Sequence, residues 1–431
     1  MFLELLREIR IWIIQLEASL VLRKYKPQVI AITGSVGKTS AKDAIYTALK
    51  DVLDVRKSPK SLNGELGTPL AILGGTSDNN TIGEWLNNFW KGITLLMFRK
   101  EYPKYLVLEV GLGRPNEISR IARWLKPHIA LVTRLSKTPV HVEFFKSVAD
   151  LHNEKGALVD ALRPDGTFIY NSDDEDVVAF QKRTTAKKTS FGENIHADVK
   201  AHDYAVMYDV HGKPTGVRFS ITVDGKSYPI EVAGSLGRQH MLPIMTAVSV
   251  GAALGINTEK VIASLRHHNT PSGRMRIIQG LHESTIIDDT YNASPIATEE
   301  ALKTLADITN SGRKSFAIGD MKELGPHSEK AHRAIGKLAA STCTILICVG
   351  EQSKFISDEA IVHSFDKNNS HLFSNSSDAA VYLHSILNKN DIVLVKGSQS
   401  MRMEKIVEAV MKNPADKSKL LVRQDGFWRN K

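Results

Sequence analysis

The sequence predicts an α/β chain: a central unit with a mostly parallel sheet plus antiparallel β hairpins, then a doubly wound C-terminal unit. Three observations predict it. Short apolar runs alternate with helix-length stretches over residues 28–171, the pattern of strands joined by helical crossovers. Residues 187–234 change to alternating apolar and polar residues with turn signals, which reads as hairpins. Beyond residue 273 the strand–helix alternation restarts, and 431 residues exceed one ordinary core.

The elements follow in order. Phe2, Leu5, Leu6, Ile9, Trp12, Ile13, Leu16 and Leu20 recur at helical spacing, so residues 2–25 form one helix, which Pro27 ends. Q-V-I-A-I-T-G is a short apolar strand, and Lys38 to Lys50 a helix. Strand, glycine loop and helix in that order make the first half of a mononucleotide-binding unit. Further buried strands are expected at Tyr105–Gly111, Ile129–Leu135 and Thr167–Asn171. His211-Gly212 and Asp224-Gly225 mark the hairpin turns; helices at 240–254 and 258–268 follow, and N-T-P-S-G (269–273) reads as a hinge. In the second unit strands end at Asp288, Gly319, Gly350 and Lys396. The clusters D-D-T-Y-N, G-D-M and K-G-S fall at carboxyl ends of strands, where ligands gather in such sheets. The expected division is an N-terminal amphipathic helix (1–27), a central domain (28–270), a Rossmann-like domain (271–412) and a basic tail (413–431) whose Gly-Phe-Trp is expected to dock.

Composition excludes several classes. The chain is 42% hydrophobic and 24% charged, which suits a folded protein and not a disordered one. Lys+Arg 56 against Asp+Glu 47 gives a net charge of +9. That excess is spread along the chain, so it does not argue for nucleic acid; it suits an anionic substrate or membrane surface. Two cysteines, Cys343 and Cys348, exclude a disulfide scaffold or zinc cluster and fit a reducing cytosol. The apolar stretch Ile11 to Leu22 contains Gln15 and Glu17 and is shorter than the roughly 18 residues a membrane span needs.

The strongest chemical signal is T-G-S-V-G-K-T at 33–39. A glycine turn between strand and helix aims backbone N–H groups at a phosphate, with the helix dipole behind them. Lys38 adds a cation and Thr39 a hydroxyl for Mg²⁺. The usual spacing asks for glycine where Ile32 stands, so the loop is the shorter G-x-x-G-K-T; the plain alternative is an ordinary strand–helix turn. Glu109, closing the strand Y-L-V-L-E, is a magnesium-ligand candidate or a salt-bridged strand-end carboxylate. His141, taken alone, reads as a structural histidine.

Eight segments in order resemble the Mur ligases: T-G-S-V-G-K-T, S-L-N-G-E-L-G-T-P-L (61–70), E-V-G-x(5)-E-I (109–118), H-V-E-F-F with Lys155 beyond it, G-R-M (273–275), I-I-D-D-T-Y-N-A-S-P (286–295), G-D-M-K-E-L-G (319–325) and V-K-G-S-x-x-M-R-M-E (395–404). The resemblance runs from residue 28 to 412. It implies an ATP-dependent ligase that joins a carboxylate to an amine, with small-molecule substrates and Mg²⁺. Thr33, Gly34, Ser35, Val36, Gly37, Lys38, Thr39 and Ser40 would cradle the nucleotide phosphates, and Thr39, Glu109 and His141 would hold the metal. Lys155 would be carbamylated. Lys38, His141, Lys155 and Arg274 would form the catalytic group, and Asp289 and Asn292 would meet the nucleotide. Asn63, Asp320, Lys396 and Ser398 would face substrate.

The resemblance also implies closure of two domains over the site, with motion near Asn269–Gly273. The sequence departs from the family in three places. Twenty-seven residues precede the first strand, too few for the family's UDP-sugar domain. An H-N-x-x-N segment reads H-M-L-P (240–243), and Gly64 replaces an asparagine. Two rivals stand beside the cell-wall ligase reading: the same chemistry on a folylpolyglutamate- or cyanophycin-type substrate, and a non-catalytic nucleotide-binding protein of the membrane surface. Residues 2–25 and the stretch 85–100, both flanked by basic residues, are expected to pack together over the sheet; the competing expectation is an anchor at the inner membrane surface.

Overall fold

The computed structural model describes residues 2–59, 62–75, 82–137, 141–266, 270–309, 311–424 and 428. Asn269 of the expected hinge and the Gly-Phe of the tail lie outside them.

The first domain runs α1 (Phe2–Tyr25), β1 (Gln28–Thr33), α2 (Lys38–Leu49), β2 (Val55–Lys57), α3 (Gly67–Leu73), α4 (Ile82–Met97), β3 (Tyr105–Glu109), α5 (Glu117–Leu125), β4 (Ile129–Val132), α6 (Val148–Asp160), β5 (Thr167–Asn171), α7 (Glu175–Ala179) and β6 (Lys187–Gly192). It continues with β7 (Val199–Tyr208), β8 (Pro214–Val223), β9 (Lys226–Ala233), α8 (Met241–Ala253) and α9 (Thr258–Leu265). The strands form one nine-stranded sheet in the order β2-β3-β1-β4-β5-β6-β7-β8-β9. Pairing is parallel from β2 to β7 and antiparallel across the two hairpins. The hairpins therefore extend the parallel sheet and do not form a separate layer.

Alternation along β1 explains why this strand is apolar from Val29 to Ile32. Ile30 and Ile32 pack with Ala41 and Ile45 of α2 and with α8, while Val29 and Ala31 pack on the other face with Ile14, Ala18 and Val21 of α1. A strand covered on both faces has no polar side to show. The N-terminal helix corrects the amphipathic expectation. It buries Ile11, Ile14, Ala18 and Val21 on one side and exposes Ile9, Trp12, Leu16 and Leu20 on the opposite side. It is apolar on two faces.

The second domain runs β10 (Arg276–Gln279), β11 (Thr285–Asp289), α10 (Pro295–Asp307), β12 (Lys314–Gly319), α11 (Ser328–Thr342), β13 (Ile345–Val349), α12 (Lys354–Val362), β14 (Ser370–Phe373), α13 (Ser376–Ile386), β15 (Ile392–Lys396), α14 (Glu404–Val410) and α15 (Lys417–Leu420). Its sheet order is β10-β11-β15-β12-β13-β14, parallel except for β10. Helices α10, α11 and α12 cover one face, and α13 and α14 the other. The strand order reverses beside β15, so the ends of β11, β12 and β15 open onto one crevice. The tail is anchored by Arg423, whose guanidinium reaches Glu404 at 2.9 Å and the carbonyls of Thr290 and Tyr291 at 2.8 Å. Both cysteines are buried free thiols, and burial pushes Cys343 up to about 12. Among the described residues no helix is long and apolar enough to cross a membrane.

Candidate active site

The glycine loop leaves β1 in backbone conformations that require glycine. Gly34 has φ 145° and Gly37 φ 85°. A Cβ on Gly34 would lie 2.1 Å from the Thr133 hydroxyl. Thr133 holds the loop by donating to the Val36 carbonyl at 2.6 Å, and the Ser35 N–H donates to the Arg134 carbonyl at 2.6 Å. No side chain caps α2, and its first turn carries no acidic residue. Its N–H groups are thus left for an anion. The Lys38 ammonium donates back to the Gly34 carbonyl at 2.8 Å, across the mouth of the loop. Burial lowers its pKa; Glu109 opposes that shift and Arg274 adds to it. Thr33 is fully buried, and Ser40 lines the cavity beside the loop.

Glu109 sits at the end of β3, beside β1. One of its oxygens accepts from the Thr39 hydroxyl at 2.9 Å and the other from the Asn63 amide at 2.8 Å. Its backbone N–H donates to the Ser58 hydroxyl at 3.0 Å. Asn63, expected to face substrate, here orients the carboxylate. Beneath them lies a group the sequence reading missed: Lys42, one helical turn after Lys38, is buried with its ammonium 3.9 Å from Glu109. Spacing i,i+4 on the helix carrying Lys38 was the available signal.

His141 stands in a left-handed conformation (φ 69°) that opens a short 3₁₀ turn. Its Nδ1 is 3.1 Å from Glu323 of the G-D-M-K-E-L-G loop, and its N–H donates to the Glu323 carbonyl. That pairing lowers the Glu323 pKa. The structure therefore joins Thr39 to Glu109 and joins His141 to the second domain. No group of three His, Cys, Asp or Glu gathers into a metal cage among the described residues. Thr39 and Glu109 nonetheless offer two adjacent hard oxygens, the donor chemistry Mg²⁺ prefers.

Lys155, in the middle of α6, is buried and donates to the Ser35 hydroxyl at 2.9 Å. Burial, and then the charge of Lys38, hold its amine well below the ordinary lysine range. Ser35, a loop residue, is thus the link between Lys155 and the phosphate cradle.

Between the domains lies a cavity of about 450 Å³. The first domain lines it with Val36, Gly37 and Ser40, and the second with Arg274, Asp289 and Lys396. His240, Met241 and Leu242, the segment that departs from H-N-x-x-N, supply a largely apolar wall. Arg274 stacks over the Tyr291 ring at 4.1 Å, which fixes its guanidinium. Lys396 and Asp289 form a buried ion pair at 2.5 Å, and the Lys396 ammonium also reaches the Asn292 carbonyl at 3.0 Å. The Asn292 side chain accepts from the Ala293 N–H. Asp320 and Ser398 do not line this cavity. Asp320 is buried with its oxygens engaged by the Ser353 N–H and the Lys322 ammonium, and the Ser398 hydroxyl accepts from the Lys322 N–H. These two residues tie the β12 and β15 loops together.

The chain matches the Mur ligase middle domain over residues 32–251 and the Mur ligase glutamate ligase domain over residues 273–399. It is 25% identical over 398 residues to the UDP-N-acetylmuramoyl-tripeptide–D-alanyl-D-alanine ligase of Bacillus subtilis, covering 92% of this chain and 79% of that one. Among solved structures, MurF from Acinetobacter baumannii superposes with a TM-score of 0.76 at 24% identity, covering 94% of this chain and 81% of that one. MurF from Thermotoga maritima, solved in complex with ADP, gives 0.74 at 22%, covering 93% and 83%. With the middle-domain match spanning more than half its length and the ligase-domain match following in order, the chain belongs to the Mur ligase family.

Proposed function

We propose that this protein is an ATP-dependent, ADP-forming amide ligase that adds D-alanyl-D-alanine to the peptide carboxylate of a UDP-N-acetylmuramoyl tripeptide, a step in peptidoglycan precursor synthesis. The observation that carries the chemistry is the uncapped phosphate loop with Lys38 across its mouth and the Thr39–Glu109 pair beside it. What favours this substrate over folylpolyglutamate- or cyanophycin-type acceptors is likeness along most of the chain to ligases named for that reaction. The two buried thiols fit a cytoplasmic setting.

The reaction divides between the two domains. ATP lies with its phosphates on the α2 N-terminus and its base in the 450 Å³ cavity. Lys38 leaves the Gly34 carbonyl for the β/γ-phosphates and neutralises charge as the acceptor carboxylate oxygen attacks the γ-phosphorus. The bond to ADP breaks, and an acyl phosphate forms. Mg²⁺, held by Thr39 and Glu109, would supply further charge neutralisation at the phosphates. The amine of the dipeptide then attacks the acyl carbon, a proton is lost from nitrogen, and inorganic phosphate leaves. Arg274 faces the loop from the second domain and stabilises the oxyanion of that addition. Closure of the two domains over the crevice keeps water from the acyl phosphate. Lys155 fits the carbamate reading, because burial and then the charge of Lys38 shift it toward the neutral amine, the form that adds CO₂.

The test is phosphate release from ATP with UDP-N-acetylmuramoyl tripeptide, with and without D-alanyl-D-alanine. Release that requires both substrates and matches amide formed supports the reading. Release supported instead by a folate or polyaspartate acceptor would replace the substrate and keep the chemistry.

A further inference from the structure

The outer face of the first domain carries an apolar surface that the ligase chemistry does not use. Helices α1 and α4 lie side by side and run in the same direction. Arg10 sits over the Trp85 ring, Glu17 abuts Gly92, and the Lys24 ammonium donates to the carbonyls of Leu95, Leu96 and Phe98. Away from the core, α1 exposes Ile9, Trp12, Leu16 and Leu20, and α4 exposes Leu86, Trp90 and Met97. The α1 row repeats at three- and four-residue steps and the α4 row at steps of four and seven, so each is one helix face. Trp12 is 63% exposed, Trp90 60% and Met97 72%. Scattered exposed apolar residues need no explanation, but two adjacent rows form a patch, and such patches mark interaction sites.

Charge selects the partner. Arg23 and Lys26 follow the α1 row, and Arg99, Lys100 and Lys104 follow the α4 row, all exposed. The parallel arrangement brings both groups to one end, where the Gln28 N–H donates to the Lys104 carbonyl. The surface is thus an apolar slab with two tryptophans and a cationic end. Indole rings suit a boundary that is apolar below and wet above. Basic side chains near a membrane are drawn to anionic headgroups. We propose that the α1–α4 face seats the protein on an anionic phospholipid surface. Trp12, Trp90 and Met97 enter the headgroup–acyl boundary, and the Arg23–Lys100 end rests on the phosphates. Ile11, Ile14, Ala18 and Val21 stay in the core, so α1 serves both faces at once.

The experiment is co-sedimentation of the full chain with vesicles of phosphatidylglycerol and phosphatidylcholine, against phosphatidylcholine alone. Binding is expected on the anionic vesicles and is expected to fade at about 1 M salt, where the Debye length falls to about 3 Å. Trp12→Ser with Trp90→Ser should weaken it about tenfold or more, as loss of buried large apolar side chains implies, with the melting temperature kept. Arg99→Glu with Lys100→Glu should weaken it and flatten its salt dependence; should the tryptophan variant melt early, this charge variant decides. Failure of the folded chain to bind, or equal binding to neutral vesicles, overturns the proposal. A vesicle-free dimer that the tryptophan variant dissociates also overturns it, by assigning the face to a second copy of the chain.

Discussion

Removing one partner of the Asp289–Lys396 pair leaves a charge buried at the crevice of the second domain. Lys396 is 2% exposed, and its ammonium has two partners, the Asp289 carboxylate at 2.5 Å and the Asn292 carbonyl at 3.0 Å. Asp289→Asn leaves the ammonium with the carbonyl and a neutral amide. Lys396→Met leaves the carboxylate with the Met275 N–H, which reaches it at 3.2 Å. Breaking a buried pair this way costs about 3–5 kcal/mol. For a domain of this size, about 2–4 °C per kcal/mol converts that loss to a fall of about 6–20 °C in the second domain's transition. The double variant removes both charges and should cost less than the sum, with a coupling of about 2 kcal/mol or more. Calorimetry or denaturant melts that resolve the two domains measure the cycle. Single variants within about 1 kcal/mol of the parent, or strict additivity, would refute the reasoning.

Three further outcomes are expected. Gly34→Ala should lower ligation at least about tenfold, because φ 145° and a Cβ 2.1 Å from the Thr133 hydroxyl force the loop to move; unchanged steady-state turnover would contradict this. Lys155→Ala should lose activity and regain part of it with added short-chain carboxylates, while the intact protein gains the mass of CO₂ on Lys155; absence of both leaves a structural lysine. Glu17 gives a pH signature. Neither of its oxygens has a hydrogen-bond partner, and burial raises its pKa from 4.5 to about 7. Between those values the folded state holds the extra proton, so its contribution to stability falls as pH rises through the interval and stays low above it. Glu17→Gln should flatten that slope and melt later than the parent at about pH 8 in denaturant titrations; an unchanged slope would place the carboxyl in water.

Legibility in the sequence followed the range of the signals. The strand–loop–helix at 28–50 was readable because strand period, glycine spacing and the Lys-Thr pair agree within a few residues of one another. The hairpins were readable from Asp224-Gly225, whose positive φ angles of 48° and 75° that dipeptide favours. Strands β2, β10 and β14 were not, being three or four residues long at or beside sheet edges, too short for a period. The site shows the same division. The loop could be read locally, whereas the Glu323 partner of His141, the Ser35 contact of Lys155 and the Arg423 anchor join residues far apart in sequence. Asn63 and Asp320 carry residue types that suit a substrate contact, and only the fold shows them orienting Glu109 and bridging loops. The second apolar face of α1 was present in the spacing of Ile9, Trp12, Leu16 and Leu20, but spacing alone does not say which face the core takes.

Amide ligation by this protein requires that the loop at 33–39 bind and activate ATP. Lys38 is the cation across that loop, and its contact there is the Gly34 carbonyl, so Lys38→Ala removes charge without opening the core. The measurement is single-turnover phosphate release and amide formation by Lys38→Ala, beside its circular dichroism and melting temperature. The expected result is a parent-like fold with release and amide both reduced by about 10²–10³ or more, the scale of losing one electrostatic stabiliser of the transferring group. Parent-like turnover by the folded variant would contradict it.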